Sequence, residues 1–476
     1  LVEHYVNASP QPEPNPAQGR AAAYRLHRTA LAGLVFVAAW FIYKSGGELS
    51  NTTLVGLLIL GLASAPALAW AAKQRPWFPV FEITCLTYIA FYAIPLLSNH
   101  SELAAFPASV NTEAGLLVAV FLAMANLGFA TSGGPVRAPE WATSSLLPEG
   151  AMRHIPVGQT INTIYVYCYT FTDFIPREFE GTFRALFFGL GTICTFILAR
   201  QIGAGSLSRR QATWFVFNLS AQVVFLFAQL YLIGGISLIA LALIGYASAK
   251  RSIPWVPVML VLPLVALLHL GKPDMRSVYW QGGKPLPTLA ELPAFFGEWI
   301  DYSIEPRELR INSTLFERAS LIQMLCLSVD RVPSLKPYMA GESYIDIPAQ
   351  FVPRFIWPDK PSGLLSNVRL ALYFNLVSIE SATSVSIAFG VVAEAYVNFG
   401  FIGVAGLGLG MGMIFRRLSV LSQSAPMFSS LGILMILLTA WSFQIELVMA
   451  TWLGSLFQAS VVCIGLPLAY RRFTVV

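Results

Sequence analysis

Charge is what this sequence has least of. Only 12% of its 476 residues are Asp, Glu, Lys or Arg, while 56% are of the types AVILMFWYC and the mean hydropathy is +0.64. A water-soluble domain carries roughly 25% charged residues, so most of this surface faces hydrocarbon and soluble folds are excluded. Alternating polar and apolar stretches are also missing. The apolar runs are continuous and close to the ~20 residues of a spanning helix, which excludes a porin-like barrel. Cysteine is sparse: Cys85, Cys168, Cys194, Cys326 and Cys463 show no CxxC and no metal-ligand spacing, so neither a disulfide framework nor a zinc site is implied. There is no acidic cluster for a divalent metal and no basic aromatic groove. No cofactor and no nucleic-acid partner are therefore expected. Gly406, Gly408, Gly410 and Gly412 lack the preceding strand of a nucleotide fingerprint and point instead to close helix packing within an apolar span.

What is there reads as an all-α, polytopic membrane protein. Residues 10–16 alternate with proline, and Arg20, Arg25, His27 and Arg28 follow, so 1–29 is expected to be a disordered basic tail. Apolar runs occupy about 30–44, 54–72, 80–97, 112–130, 183–200, 212–229, 231–249, 254–270, 400–415, 428–446 and 449–470. Basic residues flank them at Lys73/Arg75, Arg137/Arg153, Arg200/Arg209/Arg210, Lys250/Arg251, Arg416/Arg417 and Arg471/Arg472. If all of these face the cytoplasm, parity requires one more crossing between 131 and 182, and 157–175 is the best candidate. The expectation is about 12 transmembrane helices with both termini cytoplasmic. A transmembrane region at 30–270 is followed by a large extracytoplasmic loop at 271–383 and a second transmembrane region at 384–476.

That loop holds 11 of the 30 Lys+Arg and 12 of the 25 Asp+Glu, and is too long to be a mere connector. Its stretches near 288–300 and 315–329 are amphipathic, and it is expected to lie partly against the membrane as a lid. Residues 384–415 exceed one span and fall short of two. The break is expected at Asn398-Phe399-Gly400, with a half-helix before it and a span after it.

The most informative segment runs from Gly341 to Pro361. Its prolines at 348, 353, 358 and 361 are expected to hold the backbone extended, so that Arg354, Asp359 and Lys360 project from a stiff ribbon anchored by Phe355 and Trp357. A preorganised site and a packed interfacial loop with solvated charges both fit this pattern. The stretch Ile347-Pro-Ala-Gln-Phe-Val-Pro-Arg-Phe-Ile-Trp-Pro-Asp-Lys-Pro361, after a hundred-residue loop and before Ala393-Glu-Ala-Tyr-Val-Asn-Phe-Gly-Phe-Ile-Gly403, resembles the Wzy-type oligosaccharide repeat-unit polymerases of O-antigen and exopolysaccharide synthesis.

The resemblance implies a bacterial inner-membrane glycosyltransferase whose helical fold is related to the GT-C transferases and the O-antigen ligases. Its substrate would be an oligosaccharide on a polyprenyl diphosphate, and a flippase and a chain-length regulator are implied as partners. The leaving diphosphate needs cations, and arginine binds phosphate oxygens as a planar fork. Arg276, Arg318 and Arg354 are the candidates, with Lys360 assisting and Trp357 beside them; each arginine could equally anchor the interface. Glu394 stands in an otherwise uncharged run, where a carboxylate is costly unless paired or wet. It is the leading candidate either for the base or for a structural partner of an arginine. His269 and Asp359 are alternative bases, and Glu113, His269 and Glu446 share the outer level. The rival activities are an O-antigen ligase using the same leaving group and a lipid-linked-oligosaccharide flippase.

Overall fold

A computed structural model describes residues 16–469, apart from 46, 48, 74–78, 99, 135–136, 147–150, 173, 176, 251, 253, 305–320, 353–355, 379–386 and 424. Among the described residues the regular structure is helical, and ten helices are long and apolar enough to cross a membrane. This is the architecture of a multi-pass membrane protein.

In chain order the helices are α1 (Pro16–Lys44), α2 (Asn51–Lys73), α3 (Val80–Tyr88, prolonged by a π turn at Ile89–Ala93 into Ile94–Leu97), α4 (Ala108–Thr131), α5 (Ile155–Phe171), α6 (Arg177–Ala204), α7 (Arg209–Ala228) and α8 (Leu232–Lys250). Then follow α9 (Trp255–Arg276), α10 (Leu292–Ile304), α11 (Leu321–Arg331), α12 (Leu365–Tyr373), α13 (Gly390–Ser422), α14 (Ser430–Trp441) and α15 (Met449–Ser460). Ten of the eleven apolar runs coincide with candidate spans. The eleventh, 428–446, holds only the 12-residue α14, about 18 Å of helix against a hydrocarbon core of about 30 Å.

Two expectations about boundaries change. Helix α1 begins at Pro16, inside the stretch read as a disordered tail, because proline suits a first helical turn and Ala17 and Ala21 to Ala23 are strong helix formers. Residues 1–15 lie outside the described residues. Most of 157–175 does form a helix, α5, but at 17 residues it is shorter than the ten. Its polar side chains are answered by neighbours: Asn162 Nδ2 donates to Gln222 Oε1 (2.9 Å), Thr163 Oγ1 to Asn218 Oδ1 (2.8 Å), and Gln159 Nε2 to Thr195 Oγ1 (3.2 Å). Interhelical hydrogen bonds of this kind hold a weakly apolar helix among apolar ones.

The main core gathers α2, α3, α4, α6, α11, α13 and α14. Helix α11 belongs to the 271–383 loop, yet Leu321, Ile322, Leu325 and Cys326 are buried in this core, so part of the expected lid is an inserted element. Their i, i+1, i+4, i+5 spacing gives one apolar face, and that face meets α4 and α13. A second core joins α7, α8, α9 and α10 around Phe227, Leu268, Phe295 and Trp299, with Trp299 Nε1 donating to Leu268 O at 2.7 Å.

Helices α4 and α13 approach closely because glycine stands on both sides. A Cβ on Gly128 would lie 2.3 Å from Leu409 O, one on Gly408 2.4 Å from Phe121 O, and one on Gly412 2.0 Å from Ala125 O. Gly412→Ala is therefore expected to cost about 1–3 kcal/mol as overpacking, read as a lower melting midpoint in detergent. Gly61→Ala, where nothing stands within 4 Å of the new Cβ, serves as the control and is expected to hold or raise the midpoint.

Candidate functional site

Helix α13 breaks where the sequence breaks. Gly400 has φ +61° and ψ −148°, a conformation that costs glycine little and other residues much, so 390–399 and 401–422 are two arms of one helix. A helix end leaves carbonyls without partners. The loop supplies the donors: Met339 N–H reaches Val397 O (3.0 Å) and Ala340 N–H reaches Asn398 O (3.2 Å). The Tyr338 hydroxyl lies 2.8 Å from where a Cβ on Gly400 would stand, so the break is also packed shut.

Glu394 sits on the first arm with no exposed surface. Its two oxygens are held from different parts of the chain. Oε1 accepts from Ser343 Oγ at 2.8 Å, and Oε2 accepts from the Met449 N–H at 2.7 Å. Met449 opens α15, so the carboxylate lies at the N-terminus of a helix, where backbone N–H groups and the helix dipole favour negative charge. One turn along, Asn398 Nδ2 donates to Ser343 Oγ (2.8 Å) and to Glu394 O (2.8 Å), and its Oδ1 accepts from Gly341 N–H (2.9 Å). Burial, and after it the Glu394 charge, push the Tyr344 hydroxyl above its ordinary value.

The segment 341–361 is not the extended ribbon that its prolines suggested. Pro348 lies in the first turn of a short helix, Ile347–Gln350, a position that tolerates a missing N–H, and the chain then folds back through turns. Lys360 points inward: buried, its Nζ donates to the carbonyls of Ala349 (3.2 Å), Gln350 (3.5 Å) and Val352 (2.7 Å). The segment leans on α15 through an edge-to-face contact of Phe351 with Phe457 (5.1 Å) and a hydrogen bond from Thr451 Oγ1 to Gly363 O (2.8 Å). Arg369, on α12, pairs with buried Asp346 at 3.3 Å and donates to Glu342 O at 3.3 Å, one residue from Ser343.

The other nominated residues are distributed. Arg318 and Arg354 lie outside the described residues. Arg276 belongs to the second packing unit, donating to Leu230 O (2.9 Å) with its guanidinium 4.1 Å from the Trp280 ring centre and 5.6 Å from that of Tyr231. His269 is half-buried on α9, while Asp359 and Trp357 are exposed. Ser343, Asn398, Asp346 and Arg369 were not singled out as site residues. Asn398 could have been: it stands four residues after Glu394 in an apolar run, on the same helix face. Nothing local marks Ser343.

Chemically, Glu394 in this arrangement ties the loop to α13 and α15. Arg369 brings a cation to the edge of the same network, and Asp359 offers an exposed carboxylate on the same segment. Among the described residues no group of three or more His, Cys, Asp or Glu gathers to hold a metal. Glu446 lies at the same end, its backbone oxygen accepting from Gly390 N–H at 3.1 Å.

Residues 163–454, more than half of the chain, match a family described as a domain of unknown function, DUF8712. The matched span includes the whole of the Glu394 network. No curated protein and no solved structure matches the chain.

Burial raises the Glu446 carboxyl above its usual 4.5, with Lys272 opposing. A carboxyl held high binds its proton more tightly folded than unfolded. Its stabilising contribution is therefore full below the unfolded value and is lost as pH rises through the folded one. Glu446→Gln is expected to melt higher than wild type at pH 8, with the gap closing toward pH 4. A wild type that melts higher at pH 8 would contradict this.

Proposed function

We propose that this chain, which belongs to the DUF8712 family, is a membrane glycosyltransferase that polymerises polyprenyl-diphosphate-linked oligosaccharide repeat units into O-antigen or exopolysaccharide. One observation carries the reading beyond the sequence resemblance. The two motifs that bear the resemblance, 347–361 and 393–403, are seated on the same helix, α15: Phe351 packs on Phe457 and Glu394 accepts from the Met449 N–H. A loop fastened in this way to a broken helix is suited to holding reacting groups in fixed geometry. In this reading the chain resides in the bacterial inner membrane with both termini cytoplasmic. It makes twelve crossings, the ten long helices plus α5 and α14, and 271–383 faces the periplasm.

In the reaction, the hydroxyl oxygen of the incoming repeat unit bonds to the anomeric carbon of the growing glycan. The bond from that carbon to the lipid diphosphate breaks, and the diphosphate departs as an anion. Cations lower the cost of that departure. Arg354 and Arg318 of the loop are assigned this role, with Arg369 at the edge of the network and Arg276 at the end of α9. Asp359, exposed on the same segment, takes the hydroxyl proton. Glu394 is a positioning residue: it holds Ser343, and through it the loop, in register with α15.

Arg354→Ala and Glu394→Ala variants are expected to insert in the membrane while long glycan chains disappear from cells and single repeat units accumulate. Glu394→Gln, which keeps one acceptor oxygen and the shape, is expected to restore part of the chain length, as a positioning role requires. Normal chain lengths in both alanine variants would remove the site assignment.

A further inference from the structure

The end of α13 away from Glu394 carries a cation whose buried nitrogen meets no protein oxygen. Arg416 is half-buried, and its Nε is buried without a hydrogen-bond partner. Among the described residues it enters no ion pair. Glu140, the first acid after the loop that follows α4, is exposed and also outside those pairs. A guanidinium has five donors and no acceptor and keeps its proton, so it cannot lower the cost of a buried N–H by becoming neutral.

Carbon, not oxygen, holds it in place. The guanidinium carbon stands 5.5 Å from the centre of the Phe129 ring. A Cβ added to Gly133 would lie 3.0 Å from Nη2, 3.3 Å from Nε and 3.6 Å from Cζ, so a bare backbone comes up against the guanidinium there. The ring beneath it is fixed: Phe129 is buried and stacked on Phe81, with centroids 4.2 Å apart and planes 6° from parallel. The helix that carries it is fixed too. One turn before Arg416, a Cβ on Gly412 would stand 2.0 Å from Ala125 O of α4. The fork is thus placed before any ligand arrives, which lowers the ordering cost of binding. An arginine that only anchored the interface would extend its stem to water; here Nε stays buried.

The surroundings indicate which ligand fits. Helix α4 ends at Thr131, just beyond Phe129, so the guanidinium lies at the end of two candidate spans, at headgroup depth. Arg417 and Arg137 are exposed near this end, so the local charge favours an anion. The planar fork of arginine matches phosphate oxygens, and basic sites between membrane helices recognise anionic headgroups. Met413, one turn before Arg416, and Leu127 of α4 are exposed, so apolar helix surface borders the cation. A free phosphate would use the charge alone, whereas a phosphate carried by a lipid uses both.

We propose that the junction of α4 and α13 at Arg416 binds the headgroup phosphate of an anionic phospholipid. The guanidinium donates to phosphate oxygens, Arg417 and Arg137 add attraction, and the acyl chains lie along Leu127 and Met413. The bound lipid braces the contact at which Gly128, Gly408 and Gly412 admit the facing backbone. This site is separate from the Glu394 network and does not depend on the reaction assigned to the chain.

The test follows the melting midpoint of the purified full-length protein in neutral detergent as phosphatidylglycerol is added. A lipid that binds only the folded form raises the midpoint with its concentration. Wild type is expected to show a saturable rise that phosphatidylcholine does not reproduce. Arg416→Gln is expected to need roughly tenfold more phosphatidylglycerol for the same rise, as loss of a charge-assisted pair implies. Arg416→Lys keeps the charge without the fork and is expected to fall between the two; it also serves should Arg416→Gln melt too early to titrate. Arg200→Gln removes an arginine whose Nη1 already donates to Ser248 Oγ at 2.9 Å, and it is expected to respond to the lipid as wild type does. An equal response of wild type and both Arg416 variants would overturn the proposal. So would an equal loss in Arg200→Gln, since net charge alone would then explain the binding, and so would an equal rise with phosphatidylcholine. The same rise with inorganic phosphate at the same concentration would overturn the assignment to a lipid.

Discussion

A buried carboxylate in a hydrocarbon-facing scaffold must be answered or it destabilises everything around it. Glu394 is answered twice, by a serine hydroxyl 51 residues earlier in the chain and by the first backbone amide of α15, 55 residues later. Three segments that share no local sequence are fixed relative to one another by these two bonds. The break in α13 belongs to the same arrangement. With Gly400 turning the chain, Val397 and Asn398 present free carbonyls, and Met339 and Ala340 occupy them. The loop is therefore bonded to the helix through Met339, Ala340, Gly341 and Ser343 together.

Much of this was legible in the sequence, for identifiable reasons. Hydrocarbon offers no hydrogen bonds to a backbone, so continuous apolar runs must be helical, and 54–72, 112–130 and 231–249 could be read directly. The break at 398–400 was legible because glycine after a polar residue interrupts an otherwise uniform run. Where several signals compete, local pattern alone does not decide the conformation. Proline usually marks extended or turning chain, but Pro348 sits in a first helical turn, and Lys360 folds inward onto three carbonyls instead of projecting. The amphipathic stretch around 321–329 could face either a membrane surface or a protein core. The core won because α4 and α13 offer it a matching apolar face. Ser343 was beyond reach: one serine in a loop is defined only by what it touches.

Glycine does three separate things along α13. At 400 it turns the chain, at 408 and 412 it admits the α4 backbone, and at 406 and 410 it leaves room. A single composition feature thus joins the break that presents Glu394 to the loop, the tight contact that holds the second arm in place, and the open wall beside it. The proposed polymerase draws on the first two: a fixed loop over the reacting groups and a rigid support. Arg369 fits the same plan, since its pairing with Asp346 keeps a guanidinium at the edge of the network.

Glycan transfer is the central claim, and the most direct measurement is to supply lipid-linked repeat units to the purified protein in liposomes and to separate the products by length. A ladder of progressively longer glycans on the polyprenyl carrier is the expected result. Movement of repeat units across the bilayer with no lengthening would contradict it and make the protein a carrier.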